Sequence, residues 1–187
     1  DGALHDRLRL DRLDEARRAI DDAHSRGTAR AELAQLDGEI ALLRGDRAAA
    51  LRAFSEAKRL RPDASLPVTL ETLYGEHPVD PRWLRERIAT TRAALRDDPW
   101  ASSRLELALL LLADADRPGA VGALSDAVDK GWRDAAYLRV SPLFAPLHDD
   151  PGFADVLDAI ARRVAADRQR VLEAPWCPEE LRTVLPR

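Results

Sequence analysis

The chain of 187 residues is 45% hydrophobic and 33% charged, with 12 Pro, 9 Gly, one Cys and no Met, enough to bury one proper core or two small ones. Its 29 Lys+Arg and 33 Asp+Glu leave a net charge of −4 with both signs mixed along the whole length, so no basic face is offered to a nucleic-acid backbone or an anionic membrane. The lone Cys excludes an internal disulfide framework and a cysteine-built zinc site, and the longest apolar run, Leu107 to Ala113, is too short to cross a bilayer. With a start at Asp1 and no Met, the sequence reads as an excised or processed piece of something longer.

From Asp6 to His24, Leu8, Leu10, Leu13, Ala16, Ile20 and Ala23 recur at helical spacing. No stretch has the strict alternation or β-branched enrichment of a strand, so the chain reads as all-α. The triplet Ala16/Ile20/Ala23 is repeated as Ala50/Phe54/Ala57 and Leu84/Ile88/Thr91, displaced by 34 residues each time, and as Ala120/Leu124/Ala127 after a further 36. Residues at i, i+4 and i+7 share one helical face. Asp80-Pro81 is a helix start, an N-cap carboxylate followed by a proline in the first turn; the helix runs to about Arg96, and Gly75 to Val79 is the loop before it. The helix Ser102 to Ala113 is apolar nearly all round and is expected at the centre of the core. Asp134 to Asp150 reads as a short turn of helix and a proline-punctuated crossing, in which Tyr137, Leu138, Leu143, Phe144 and Leu147 are expected to cover the end of the helical stack. Asp150-Pro151 then starts a long helix to about Glu173, with Phe153, Val156, Leu157, Ile160, Val164 and Val171 on its apolar stripe.

The copy from Ala31 to Ala64 carries Gly38, Gly45, Ala50, Phe54, Ala57 and Pro62. Gly38 and Ala50 allow two helices to approach closely, Gly45 turns the chain between them, Phe54 fills the space between successive copies and Pro62 halts the second helix. In these residues and their period the chain resembles the tetratricopeptide repeat. That resemblance implies a right-handed superhelix of antiparallel helix pairs, with repeats at about 1–30, 31–64, 65–99 and 100–132, a cap at 133–174 and a tail at 175–187. The phrase Tyr137 to Phe153 resembles the closing segment of repeat domains appended to larger bacterial enzymes and regulators, such as sulfatase-like hydrolases, adenylate cyclases, protein kinases and winged-helix transcription factors.

Little chemistry is written in the residues. None of His5, His24, His77 and His148 lies at i+3 or i+4 from another, the spacing that pairs metal ligands on a helix. In His148-Asp149-Asp150 the last Asp is expected to cap the next helix. Cys177, between Trp176 and Pro178, has no second Cys and no basic neighbour to activate it and reads as a partly buried thiol. There is no phosphate loop, nucleophile elbow or dinucleotide fingerprint. No catalytic residue, metal site or cofactor is assigned.

What remains is a surface. The resemblance implies that the leading helix of each repeat lines a concave face, which would collect His5 and Leu8, then Glu32, Gln35, Glu39 and Leu42, then Ser102, Leu105, Leu109 and Leu112. Gln35 and Glu39 stand where the family's peptide clamp has basic residues and Asn, so a terminal carboxylate is not the expected ligand. An apolar or basic protein segment suits this face better, unless the final helix fills it. Trp83, Trp100 and Trp132 are expected to pack within the array, whereas Trp176 in the tail is a docking residue for a partner. The expected function is protein–protein interaction. The alternative is an accessory or dimerisation domain of a larger bacterial enzyme, packing on its catalytic domain.

Overall fold

The computed structural model describes residues 13–16, 18, 20 and 30–179; His5 and Leu8, and most of the first expected repeat, lie outside them. The described chain is all-α, with no strand among those residues. The helices are α1 (Arg30–Leu43), α2 (Arg47–Leu60), α3 (Ser65–Leu73), α4 (Pro81–Ala94), α5 (Ser103–Ala113), α6 (Arg117–Asp129), α7 (Ala135–Val140), a 3-10 turn over Pro142–Leu147, and α8 (Pro151–Glu173). The chain divides into two compact units, Asp1–Ala89 and Thr90–Arg187, with the boundary inside α4.

In the first unit α1 packs on α2 and α2 on α3. The turn between α1 and α2 is set by Gly45 at φ +77. The Gly45 N–H donates to Leu42 O and the Asp46 N–H to Ala41 O, which satisfies two carbonyls that the helix end leaves without partners. Asp46 at once caps α2, its carboxylate accepting from the Ala49 N–H at 2.8 Å. A three-residue connection between two packed 14-residue helices makes an antiparallel hairpin. Its tightness comes from Gly38, where a Cβ would sit 2.6 Å from Cδ1 of the Phe54 ring. Ala50, Phe54 and Ala57 are fully buried. Of the earlier triplet, Ile20 is buried but Ala16 is exposed, and Ala23 is outside the described residues.

The second unit contains the same hairpin 70 residues on. Ala115 at φ +59 takes the place of Gly45, its N–H donating to Leu112 O and the Asp116 N–H to Leu111 O. Asp116 caps α6 through the Gly119 N–H at 2.8 Å, and Ala120, Leu124 and Ala127 are buried. Helix α5, expected at the core, has Arg104 to Leu111 buried without a break. The 3-10 turn packs on α5, and α8 packs on α6 and α7. Leu138, Leu143, Phe144 and Leu147 are buried, and Tyr137 is half-buried with its ring edge-on to Phe144. The Asp150 carboxylate caps α8, accepting from the Gly152 N–H at 2.8 Å, and Phe153, Val156 and Ile160 are buried.

Two expectations are corrected. Val164 and Val171, placed on the buried stripe, are 42% and 39% exposed: α8 has 23 residues and its support α6 only 13, so the stripe outruns what it packs on. Trp100, expected to pack, is 71% exposed. Its loop is held instead by the buried Arg104, whose guanidinium donates to Leu95 O, Asp98 O and Trp100 O at 2.9–3.3 Å.

Candidate functional site

The helices α3 and α4 form a third pair in sequence but not a third tight hairpin. Their backbones do not approach as those of α1 and α2 or of α5 and α6 do. The residues explain this. Thr72 stands in the register of Gly38 and Ala108, and Leu84 and Thr91 in that of the paired alanines; added side-chain volume at these points holds two helices apart. The connection is also longer, 74–80, with Pro78 unable to continue α3. Side chains bridge the gap: Arg87 of α4 donates to Ser65 O at 2.9 Å, Ser65 Oγ at 2.6 Å and Thr69 Oγ1 at 3.3 Å.

Where α2, α3 and the 75–80 connection meet the start of α4 there is an open depression of about 670 Å³. Leu51, Pro78, Val79 and the half-buried Trp83 give it an apolar surface, while Glu71, Glu76 and Asp80 supply three carboxylates; Ser55, Thr72, Gly75 and His77 complete it. No Lys or Arg lines it. Lys58 reaches in from α2 and donates to Glu71 Oε2 at 2.5 Å. This bond, helped by Ser55, holds the Glu71 carboxyl below its usual range despite partial burial. Asp80 accepts from the Arg82 N–H at 2.8 Å, and Arg82 itself pairs with Glu86 at 2.9 Å. No described cation is ion-paired with Glu76 or Asp80.

The residues proposed to form a partner-binding face are placed as follows. On α1, Glu32 is exposed and pairs with Arg61 at 2.6 Å, Gln35 and Leu42 are half-buried, and Leu36 on the same side is 41% exposed. Glu39 is buried at 4% exposure, accepting from Gln35 Nε2 at 3.2 Å. Burial first, and the charge of Glu39 second, push the neighbouring Tyr74 hydroxyl up to about 12, although Arg47 opposes. On α5, Ser102 is exposed and Leu112 half-buried, but Leu105 and Leu109 are 6% and 5% exposed and pack inside the chain. Of the described residues in this set, those on α1 other than Glu39 are accessible, whereas Leu105 and Leu109 on α5 are not. Leu36 and the α3–α4 depression were missed in the sequence; the exposure of Leu36 had no periodic signal, but Thr72, Leu84 and the long connection did announce a looser pair.

Trp176 is 71% exposed at the start of the tail, while Cys177 beside it is buried. Trp132 is half-buried, its Nε1–H donating to Asp134 O at 3.0 Å and its ring edge-on to Tyr137. His148 stacks on Phe153 with ring centroids 5.8 Å apart. Among the described residues no three His, Cys, Asp or Glu side chains converge as metal ligands, and no helix is long and apolar enough to cross a membrane. No family model matches the chain, and neither does any curated protein or solved structure.

Proposed function

We propose that the chain is a protein–protein interaction module of the tetratricopeptide type, a right-handed array of antiparallel helix pairs whose leading helices present a face to a partner segment. One observation supports it above the rest: α1–α2 and α5–α6 share a register of 70 residues down to the left-handed turn residue, the Asp cap and the buried triplet. A repeated rigid hairpin presents a preformed surface, so a bound segment bears most of the ordering cost. The accessible part of the face is on α1, where Glu32, Gln35, Leu36 and Leu42 suit an apolar or basic segment better than a terminal carboxylate.

The test is capture from native extract with the chain as bait, beside a Leu36→Glu variant. Leu36 is exposed enough to be changed without opening the core, unlike the buried Glu39. The reading expects proteins retained by the parent chain and released by the variant; an identical set on both contradicts it.

A second reading has its own observation. Val164, Val171 and Trp176 leave apolar surface on the far end of α8 and the residues after it, which fits an accessory domain that packs on a larger enzyme or on a second copy. A dimeric mass in solution that becomes monomeric in Val164→Asp would favour it.

A further inference from the structure

We propose that the depression between α3 and α4 is a docking site for an arginine-bearing segment of a partner protein. The proposal goes beyond the α1 face, since it concerns a different surface. The depression lies where α2, α3 and the 75–80 connection meet the start of α4, beside a helix pair whose backbones stay apart. Its lining side chains include three carboxylates and no Lys or Arg, while two cations reach lining residues from outside, Lys58 at Glu71 and Arg47 at Gly75 O. Glu71 already has Lys58, but Glu76 and Asp80 are in no ion pair with a described residue, and both are exposed and line the same depression as Trp83. A guanidinium is the cation that matches: it stacks on an aromatic face, is weakly hydrated, and presents a planar fork of donors to a carboxylate. An ammonium offers only a hydrated point charge. Leu51, Pro78 and Val79 add an apolar surface for the residues flanking the arginine.

The probe is the capped pentapeptide Ala-Leu-Arg-Leu-Ala, with its lysine and citrulline counterparts, titrated into the whole chain while the Trp83 indole N–H is followed by NMR. That signal is assigned by its loss in Trp83→Phe. The arginine peptide is expected to move the Trp83 resonance with saturation. Replacing arginine by neutral citrulline, or Glu76 by Gln, is expected to weaken binding about fivefold, as for an ion pair at a solvated surface. The lysine peptide is expected to bind more weakly than the arginine peptide. Glu76 is exposed in a loop, so Glu76→Gln retains the helix content, which far-ultraviolet circular dichroism checks. Leu36→Glu, the variant that tests the α1 face, is expected to leave the titration unchanged. An unmoved Trp83 signal at millimolar peptide, equal binding of the arginine and citrulline peptides, or equal binding to the parent chain and Glu76→Gln would each overturn the proposal.

Discussion

The hairpin α1–α2 and the hairpin α5–α6 meet the same packing requirement with different residues. The first sets Gly38 against Phe54; the same two register positions hold Ala108 and Leu124, both buried, in the second. One side gains a methyl group and the other loses ring volume, so a close-packed interface is kept by compensation. Their turns differ in the same spirit: Gly45 enters the left-handed region without a side chain, whereas Ala115 enters it with one. Tyr74, which packs on Phe54 with ring centroids 5.3 Å apart, corresponds in the register to Phe144, which is fully buried. A hairpin of this kind is thus defined by its register and by the summed volume at the crossing, and single identities are free to vary.

The largest expected effect comes from emptying the crossing. Phe54→Ala should cost about 3–5 kcal/mol and Leu124→Ala about 2–5 kcal/mol, measured by denaturant unfolding. Since the chain divides into two compact units, a variant that lowers only one of two resolved transitions would show that the hairpins melt separately.

The turns sharpen the comparison by opposite signs. Gly45→Ala forces a side chain into φ +77 and should destabilise by about 1 kcal/mol, whereas Ala115→Gly relieves φ +59 and should stabilise by less than about 1 kcal/mol, because glycine also frees the unfolded chain. Two changes of the same sign in thermal unfolding would break the equivalence of the turns.

The smallest effect is alkaline. Burial first, and Glu39 second, raise the Tyr74 hydroxyl from 10.0 to about 12. A group whose pKa is raised on folding contributes stability that is whole below its unfolded value and is lost as pH climbs through the folded one. Stability should therefore fall between about pH 10 and pH 12, and Tyr74→Phe should flatten that fall. Phe144 cannot ionise, so the second hairpin makes no matching contribution. Absorbance of the phenolate, read against Tyr137 as the only other tyrosine, checks the assignment.

Much of this was legible in the sequence because it depends on local chemistry. The small–large–small triplets, the Asp150 cap and the all-round apolar α5 follow from periodicity and backbone hydrogen bonding alone. What was not legible depends on which partner each face meets. Helix α5 is apolar nearly all round, so its spacing could not say that Leu105 and Leu109 are covered. The stripe on α8 continues through Val164 and Val171 whether or not a neighbouring helix is long enough to reach them. The α3–α4 depression lies between these cases: Thr72, Leu84 and Pro78 are visible signals of a pair that does not close, but the space left and the carboxylates around it arise only when three elements are set side by side.

The central claim, that two hairpins share one register and satisfy it by volume compensation, is tested most directly by moving the pairing of one into the other. Gly38→Ala alone places a Cβ against the Phe54 ring and should destabilise by about 1–3 kcal/mol. Adding Phe54→Leu recreates the Ala108/Leu124 pair in the first hairpin. The account predicts that the double variant is more stable than Gly38→Ala, with a coupling of about 1 kcal/mol or more in its favour. Additive losses from the two substitutions would contradict it.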